Sequence, residues 1–234
     1  MTHPFDRLVR QDERRIRLAE ASLLFAADHC PGLEPARFLA KLDGLAARVR
    51  ARGAGTTEAR AAALRDVLVG EEGLRGNLES YDDPRNSFLN EVLDRKAGIP
   101  VSLSVVWLDV AAQLGWPLVG LGLPGHFIVR LDDPAGPLLL DPFDQGRALE
   151  PEDLKRLLPR MDGGRVALAA AHMQPMRVKA TLARQLHNLR AIFAAGERWH
   201  AADLVLARLL AMEPDDDELK AERTNVRGRL ARLN

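Results

Sequence analysis

Three side chains of the sequence could together carry out acyl-transfer chemistry. His126 follows Pro124-Gly125 at the start of an apolar, β-rich run, and Asp141 ends the next such run. If the two runs are neighbouring antiparallel strands, the Asp141 carboxylate can accept a hydrogen bond from one imidazole nitrogen and leave the other free as a base. Ser102 lies upstream, in the first turn of a helix predicted to begin at Pro100. Because a helix N-terminus stabilises negative charge, this position suits a nucleophile.

Each of these side chains also has an ordinary structural interpretation, and their spacing leaves both interpretations open. Ser102 could cap its helix, Asp141-Pro142 could form a turn, and His126 could hold a buried carbonyl group. Asn86 and Asn90, on the short helix predicted before Ser102, could contact a substrate or an oxyanion. Each of the two asparagines could equally be a helix cap or a surface residue.

The elements that would position these residues follow a helix–strand–helix order. Helical periodicity dominates the N-terminal part of the chain and ends in a short helix from Asp83-Pro84 to Leu93. The helix that opens at Pro100 is apolar on nearly every side, which predicts a central position. After Gly115, three β-rich runs separated by turn residues predict a small antiparallel meander: WPLVGLGL, HFIVRL and PLLLDPF. From Arg177 onward the pattern is helical again.

This order predicts an α+β fold in three segments. We expect a helical N-terminal region (1–76), a core of one central helix against a small antiparallel sheet (77–165), and an all-helical tail (175–234). The tail contains a helix–turn–helix followed by Glu213-Pro214-Asp215 and a third helix, an arrangement like one tetratricopeptide unit with a capping helix. A single unit is a weak signal, because any helical hairpin has similar spacing.

Composition narrows the classes of function. The chain has 234 residues, with 33 Lys and Arg against 33 Asp and Glu, and this balance argues against nucleic-acid binding through bulk positive charge. Its one cysteine, Cys30, excludes an internal disulfide framework and fits a reducing compartment. The N-terminal sequence MTHPFDRLVRQDERRIRLAE is too charged for a secretory signal. We therefore predict a cytoplasmic globular protein.

Membrane insertion, metal binding and cofactor binding find no support in the sequence. Residues 110–129 are free of formal charge, but their two prolines and four glycines would leave backbone groups unsatisfied in lipid. There is no HExxH, no CxxC and no pair of histidines four residues apart, so a zinc site is not indicated. The glycines of GLGLPGH precede a predicted strand, whereas a phosphate-binding loop precedes a helix.

Four segments, taken in order, resemble the bacterial transglutaminase-like family of SirB type. They are RNSFLNEVL (85–93), GIPVSLS (98–104), LGWPLVGLGLPGHFIVR (114–130) and LLLDPF (138–143). The match is strongest from Glu79 to Leu158 and looser over the helical regions on either side. Members of that family pair this core with a tetratricopeptide-like tail. The resemblance implies a papain-like core, with a catalytic Cys on the central helix and the catalytic His and Asp on the following strands.

His126 and Asp141 match the His and Asp of that family, but the cysteine is missing. The window Pro100 to Ser102, where the true enzymes have their Cys, contains none, and Cys30 lies far away in the N-terminal region. A serine hydroxyl, unlike a thiol, is essentially never ionised without a strong base. Transglutaminase chemistry is therefore not expected of this chain.

Two functions follow from this comparison. The first is a non-catalytic transglutaminase-like protein, a pseudoenzyme with a regulatory or binding role, that holds a protein or peptide partner in its core groove and on its helical tail. The second is an amide or ester hydrolase, or an acyltransferase, with Ser102 as nucleophile, His126 as base and Asp141 as the residue that orients it. In either case the residues expected to contact the partner or substrate are Asn86, Asn90, Pro100, Gly125 and Phe127.

Overall fold

The N-terminal part of the chain is helical, as its periodicity predicts. A computed structural model describes residues 2–161, 164–165 and 167–233. Thr56 caps the helix that begins at Thr57 by accepting a hydrogen bond from the Ala59 N–H at 3.2 Å. The helices are α1 (Pro4–Val9), α2 (Leu18–Ala26), α3 (Pro35–Arg50) and α4 (Thr57–Arg65), and α4 continues as a π-helical turn, Asp66–Glu71.

The middle of the chain contains the central helix and the sheet. A short parallel pair, β1 (Arg75–Gly76) and β2 (Ala97–Gly98), brackets α5 (Leu89–Arg95) and leads into the central helix α6 (Pro100–Gln113). Four antiparallel strands follow in sequential order: β3 (Leu118–Leu123), β4 (His126–Leu131), β5 (Leu138–Asp141) and β6 (Arg147–Ala148). After them come α7 (Pro151–Leu157) and a second short pair, β7 (Arg160–Met161) and β8 (Gly164–Arg165).

The helix predicted from Asp83 to Leu93 is interrupted. A 3₁₀ turn covers Pro84–Asn86, and α5 starts only at Leu89. The interruption arises because the Asn86 carbonyl oxygen does not accept a hydrogen bond from within the helix. It accepts from the Ile99 N–H and the Ser102 hydroxyl at the start of α6 instead.

Central helix α6 is buried on nearly every side, as its composition predicts. Its Trp107 ring is fully buried in a cluster that also takes side chains from α2, α3, α4, α5 and the strands β3 to β5. The uncharged stretch 110–129 forms the end of α6 and the hairpin of β3 and β4, and no helix within the described ranges is long and apolar enough to cross a membrane.

The helical tail packs against the N-terminal helices. It consists of α8 (Val178–Ala195), α9 (Trp199–Met212) and α10 (Asp217–Leu233). Gln185 of α8 donates to the Ser22 hydroxyl of α2 at 3.1 Å, and Arg208 of α9 pairs with Asp28 at 2.7 Å and with Asp6 at 2.5 Å. A second buried cluster joins the tail to α1 and α2.

The shared core of α2 to α6 crosses the predicted boundary at residue 76. The division into 1–76, 77–165 and 175–234 stays a prediction, and residues 1, 162, 163 and 234 of those segments lie outside the described residues. The described chain is a mixed fold of helices, one four-stranded antiparallel sheet and two short two-stranded pairs.

His29 lies where the N-terminal helices, the turn before α5 and the tail meet. Its ring stacks against both Phe88, at 5.1 Å between centroids, and Phe193, at 5.2 Å, and these two rings are 6.5 Å from each other. Burial lowers the pKa of His29 from 6.5 to about 4; Arg198 and Arg208 add to this effect, and Asp28 opposes it. The ring is therefore neutral near pH 7.

We expect the stability of the fold to fall when His29 is forced to take up a proton. Between pH 6.5 and about 4 the unfolded chain binds more protons at this residue than the folded chain does, so the free energy of unfolding decreases as the pH falls through that window. The loss from this group between neutral pH and about pH 5 is about 2 kcal/mol. Urea denaturation at both pH values should show a smaller loss for His29→Phe, which keeps the ring but does not titrate. Equal losses in the two proteins would contradict the assignment.

A second prediction concerns the turn after β5. Gly146 has φ +69°, and a Cβ atom there would lie 2.5 Å from the Trp107 ring, whereas Gly53 has φ +65° with nothing within 4 Å. Gly53→Ala should therefore cost only the strain of left-handed backbone, about 1 kcal/mol. Gly146→Ala should cost roughly 1–3 kcal/mol more, because Trp107 must shift. Urea denaturation measures the loss in the free energy of unfolding for each variant. Equal losses would show that the Trp107 ring can move aside without cost.

Candidate functional site

The β3–β4 hairpin and strand β5 bring His126 and Asp141 together. Leu123 pairs with His126 across a two-residue turn whose second residue, Gly125, has φ +73°, as a Pro-Gly turn of type II requires. The register that pairs Val129 with Leu140 places Asp141 beside the face of β4 that carries His126. The Nε2 atom of His126 lies 2.8 Å from Oδ2 of Asp141.

The Asp141 carboxylate is buried and fully occupied. Its Oδ1 accepts from the backbone N–H groups of Phe143 at 2.9 Å and Asp144 at 3.3 Å, and only 2% of its side chain is exposed. Since a carboxylate can only accept, Nε2 of His126 carries the hydrogen of this bond. In the tautomer with its hydrogen on Nε2, the Nδ1 atom is an acceptor, as a general base needs, and no group within the described residues donates a hydrogen bond to it.

Ser102 is not bonded to this pair. Its hydroxyl donates to the carbonyl oxygen of Asn86 at 2.6 Å and accepts from the Ile99 N–H at 3.1 Å, and the residue is fully buried. A Cβ atom at Gly98 would lie 2.7 Å from Ser102 Oγ, so only glycine fits there. The side chain caps α6 and ties it to the turn before α5, which is the structural interpretation that the sequence left open.

Two aromatic rings cover the His126 side of the site. The Phe143 ring meets the His126 ring edge-on at 5.9 Å, and Tyr81 meets Phe143 edge-on at 6.1 Å. Phe143 also packs on β1, where a Cβ atom at Gly76 would lie 2.7 Å from its ring. Burial raises the pKa of Tyr81, so its hydroxyl stays protonated at neutral pH.

Asn86 and Asn90 lie in different surroundings. The Asn86 amide donates to the carbonyl oxygens of Ser80 at 2.6 Å and Tyr81 at 3.2 Å, and its Oδ1 accepts from Asn77 at 3.0 Å. Asn86 therefore has its donors occupied within the chain. Asn90 instead lines a cavity of about 360 Å³ together with residues 30–34, and His126 does not line that cavity.

The other three residues predicted to contact a partner have roles in the backbone conformation and in the hydrophobic core. Pro100 is buried as the first residue of α6, and Gly125 supplies the turn of the hairpin. Phe127 is buried in a cluster with Ile99 and Val101, on the face of β4 opposite to His126. The partner contacts of these residues stay predictions.

Three residues near His126 escaped the sequence analysis. Phe143 lies in the DPF segment, and Tyr81, the one tyrosine of the chain, lies in a polar loop. For both residues, an aromatic ring among polar residues was the sequence signal that could have indicated a place near the site. The third is Arg184 of α8, which donates to the carbonyl oxygens of Leu123 at 3.0 Å and His126 at 3.4 Å. Nothing in its helical pattern distinguishes it from other exposed arginines.

Cys30 does not supply the missing thiol. It lines the same cavity as Asn90, its Sγ lies 3.9 Å from Asn90 Oδ1, and burial raises its pKa, which makes the reactive thiolate scarcer. Within the ranges that the structure describes, no group of three His, Cys, Asp or Glu side chains is placed to hold a metal ion.

A family comparison agrees with this geometry. Residues 36–187 match the family described as the transglutaminase-like superfamily. The chain belongs to that superfamily. The matched range covers the central helix and the strands that carry His126 and Asp141, and it extends into α8 of the tail. No solved structure matches the chain.

Bacterial relatives in this superfamily are similar over most of the chain. A UPF0162 protein of Xylella fastidiosa (strain 9a5c) is 35% identical, over 92% of this chain and 79% of its own length. The UPF0162 protein PA3419 of Pseudomonas aeruginosa is 38% identical, over 77% of this chain and 66% of its own. The F-box only protein 21 of Homo sapiens is 31% identical over 54% of this chain, which is 20% of that longer protein.

The structural role of Ser102 can be measured against its neighbour Ser104. Both are fully buried on α6, but the Ser104 hydroxyl has no hydrogen-bond partner within the described chain. Ser102→Ala should lower the free energy of unfolding by about 1–3 kcal/mol, because the buried Asn86 carbonyl oxygen and the buried Ile99 N–H each lose a hydrogen bond to the hydroxyl. Ser104→Ala should be neutral or stabilising. Chemical denaturation of both variants tests this, and a loss at Ser104 equal to that at Ser102 would contradict it.

Proposed function

We propose that this chain is a transglutaminase-like protein that has lost acyl-transfer catalysis and binds a polypeptide partner near His126. The observation that carries the proposal is the Ser102 hydroxyl, which is fully buried and gives its one hydrogen to the Asn86 carbonyl oxygen. A nucleophilic serine must instead give that hydrogen to its base. Within the described chain, no hydrogen bond joins Ser102 to His126.

Loss of the thiol supports the same conclusion. The start of the central helix reads Pro100-Val101-Ser102, and the one cysteine of the chain lies elsewhere with a raised pKa. Without a thiolate, the His126 base has no partner that ionises near neutral pH.

Polypeptide binding is the function that such a core can keep. A groove from a fold that handles polypeptides retains its shape and its hydrogen-bonding edges after the nucleophile is gone. The three tail helices offer a second surface of the helical-repeat kind. We therefore assign the chain to the SirB type, with a tetratricopeptide-like tail and a binding or regulatory role.

The alternative is an amide or ester hydrolase, or an acyltransferase, that uses Ser102, His126 and Asp141. One observation favours it: His126 is held by Asp141 through Nε2, and its Nδ1 atom has no hydrogen-bond partner among the described residues, as a catalytic base would require. For this chemistry Ser102 would have to break its hydrogen bonds to Asn86 and Ile99, and the buried Asn86 carbonyl oxygen and Ile99 N–H would keep only the bond that joins them to each other at 3.3 Å.

A fluorophosphonate reagent, which labels activated serines, distinguishes the two functions. We expect no labelling of Ser102 in the purified chain, because its hydroxyl is held by Asn86 and removed from solvent. Labelling is measured by intact-protein and peptide mass spectrometry, with a known serine hydrolase in the same tube as the positive control. Labelling that disappears in both Ser102→Ala and His126→Ala, but persists in Ser104→Ala, would establish the hydrolase instead.

The binding half of the proposal has its own test. Chemical cross-linking in the native cell, followed by purification of the tagged full chain, should capture a discrete protein partner. Failure to capture any partner above the level seen with a tagged unrelated protein would contradict the binding function.

A further inference from the structure

The described part of the chain has two exposed large apolar side chains, and both lie in one short loop. Leu78 is 80% exposed and Tyr81 is 43% exposed. Scattered apolar residues are normal on protein surfaces, but two within one turn form a patch. We call residues Leu78 to Asp82 the 78–82 ridge.

Hydrogen bonds on both sides hold this ridge in one shape. The Asn77 N–H donates to the Gly98 carbonyl oxygen at 3.0 Å, and the Asn77 side chain accepts from the Ser80 N–H at 3.1 Å. From the other side, the buried Asn86 amide donates to the carbonyl oxygens of Ser80 and Tyr81. Because the ridge is already ordered, it loses little conformational entropy itself when a partner binds.

The ridge adjoins the His126–Asp141 pair through a series of ring contacts. Tyr81 packs edge-on against Phe143, and Phe143 packs edge-on against His126. A polypeptide seated on Leu78 and Tyr81 therefore lies beside the residues that match the catalytic His and Asp of the superfamily.

The charges on the ridge determine which partner it fits. Glu79 and Asp82 are exposed, and neither forms a hydrogen bond or an ion pair within the described residues. The neighbouring Asp83 differs, because Arg85 and Arg95 neutralise it. Arg184 is a basic residue close enough to Tyr81 to influence it, but its guanidinium group already donates a hydrogen bond to the hairpin backbone. The solvent side of the ridge is thus apolar with an acidic edge.

We infer that the 78–82 ridge is the docking element for the polypeptide partner, and that it recognises a segment in which an apolar side chain lies next to Lys or Arg. The apolar side chain packs on Leu78 and Tyr81, and the basic group pairs with Glu79 and Asp82. This inference rests on the proposed binding function and specifies its location and its chemistry.

A bead-displayed library of random linear peptides tests the inference on the full chain. Peptides enriched on the unchanged protein should carry an aliphatic or aromatic residue beside Lys or Arg. When resynthesised with a fluorophore, they should bind Tyr81→Ser and Leu78→Ser about tenfold more weakly, because each variant removes an apolar anchor. Leu78→Ser is the safer of the two variants for folding, since Leu78 is 80% exposed.

The acidic edge is tested by the double change Glu79→Lys with Asp82→Lys. It should weaken binding of the basic peptides and reduce the dependence of binding on salt. The matched control is Glu58→Lys, an exposed residue of α4 outside the ridge, which should leave the affinity unchanged.

Several outcomes would overturn the inference. Enrichment of acidic peptides, or equal affinity for the ridge variants and the unchanged chain, would remove the ridge as the docking element while leaving polypeptide binding intact. The ridge would also be removed as the docking element if the unchanged chain captured a cellular partner but enriched no peptide from the library. A dimer in analytical ultracentrifugation that Leu78→Ser converts to a monomer would show that a second copy of the chain covers the ridge. Absence of both peptide and cellular partner would overturn the proposed function as well.

Discussion

Asn86 joins three parts of the molecule through one set of buried hydrogen bonds. Its carbonyl oxygen accepts from Ser102 and Ile99 at the start of the central helix, and its side chain binds the backbone at Ser80 and Tyr81. A buried polar group that loses its partner costs about 1–3 kcal/mol, so none of these bonds is released cheaply. The same network therefore holds the Ser102 hydroxyl at the start of the central helix and fixes the shape of an exposed loop.

The His126–Asp141 pair also has a structural role. The Asp141 side chain is buried, and loss of a hydrogen-bond partner from a buried polar group is destabilising. Its two backbone partners, at Phe143 and Asp144, shape the turn after β5, and His126 supplies the third hydrogen bond. The pair is thus also part of the structure that closes the sheet.

Much of this arrangement follows from local sequence patterns. The proline at position 100, the apolar helix after it and the alternation of β-rich runs with turns predict the central helix and the hairpin strands. The contact between His126 and Asp141 follows from the register of β4 and β5, which pairs Val129 with Leu140 and is set by the loop between Leu131 and Leu138. The role of Asn86 and the contact of Arg184 could not be predicted, because each depends on partners brought together by tertiary packing, and helical periodicity carries no information about them.

The contact between Arg184 and the hairpin also makes the turn at His126 dependent on the helical tail. Its guanidinium group binds the carbonyl oxygens on both sides of the turn that presents His126. A foreign C-terminal helix grafted onto this core would have to bring its own cation to the same spot. The geometry of the turn at His126 thus depends on a residue that lies 61 positions after Leu123 in the chain.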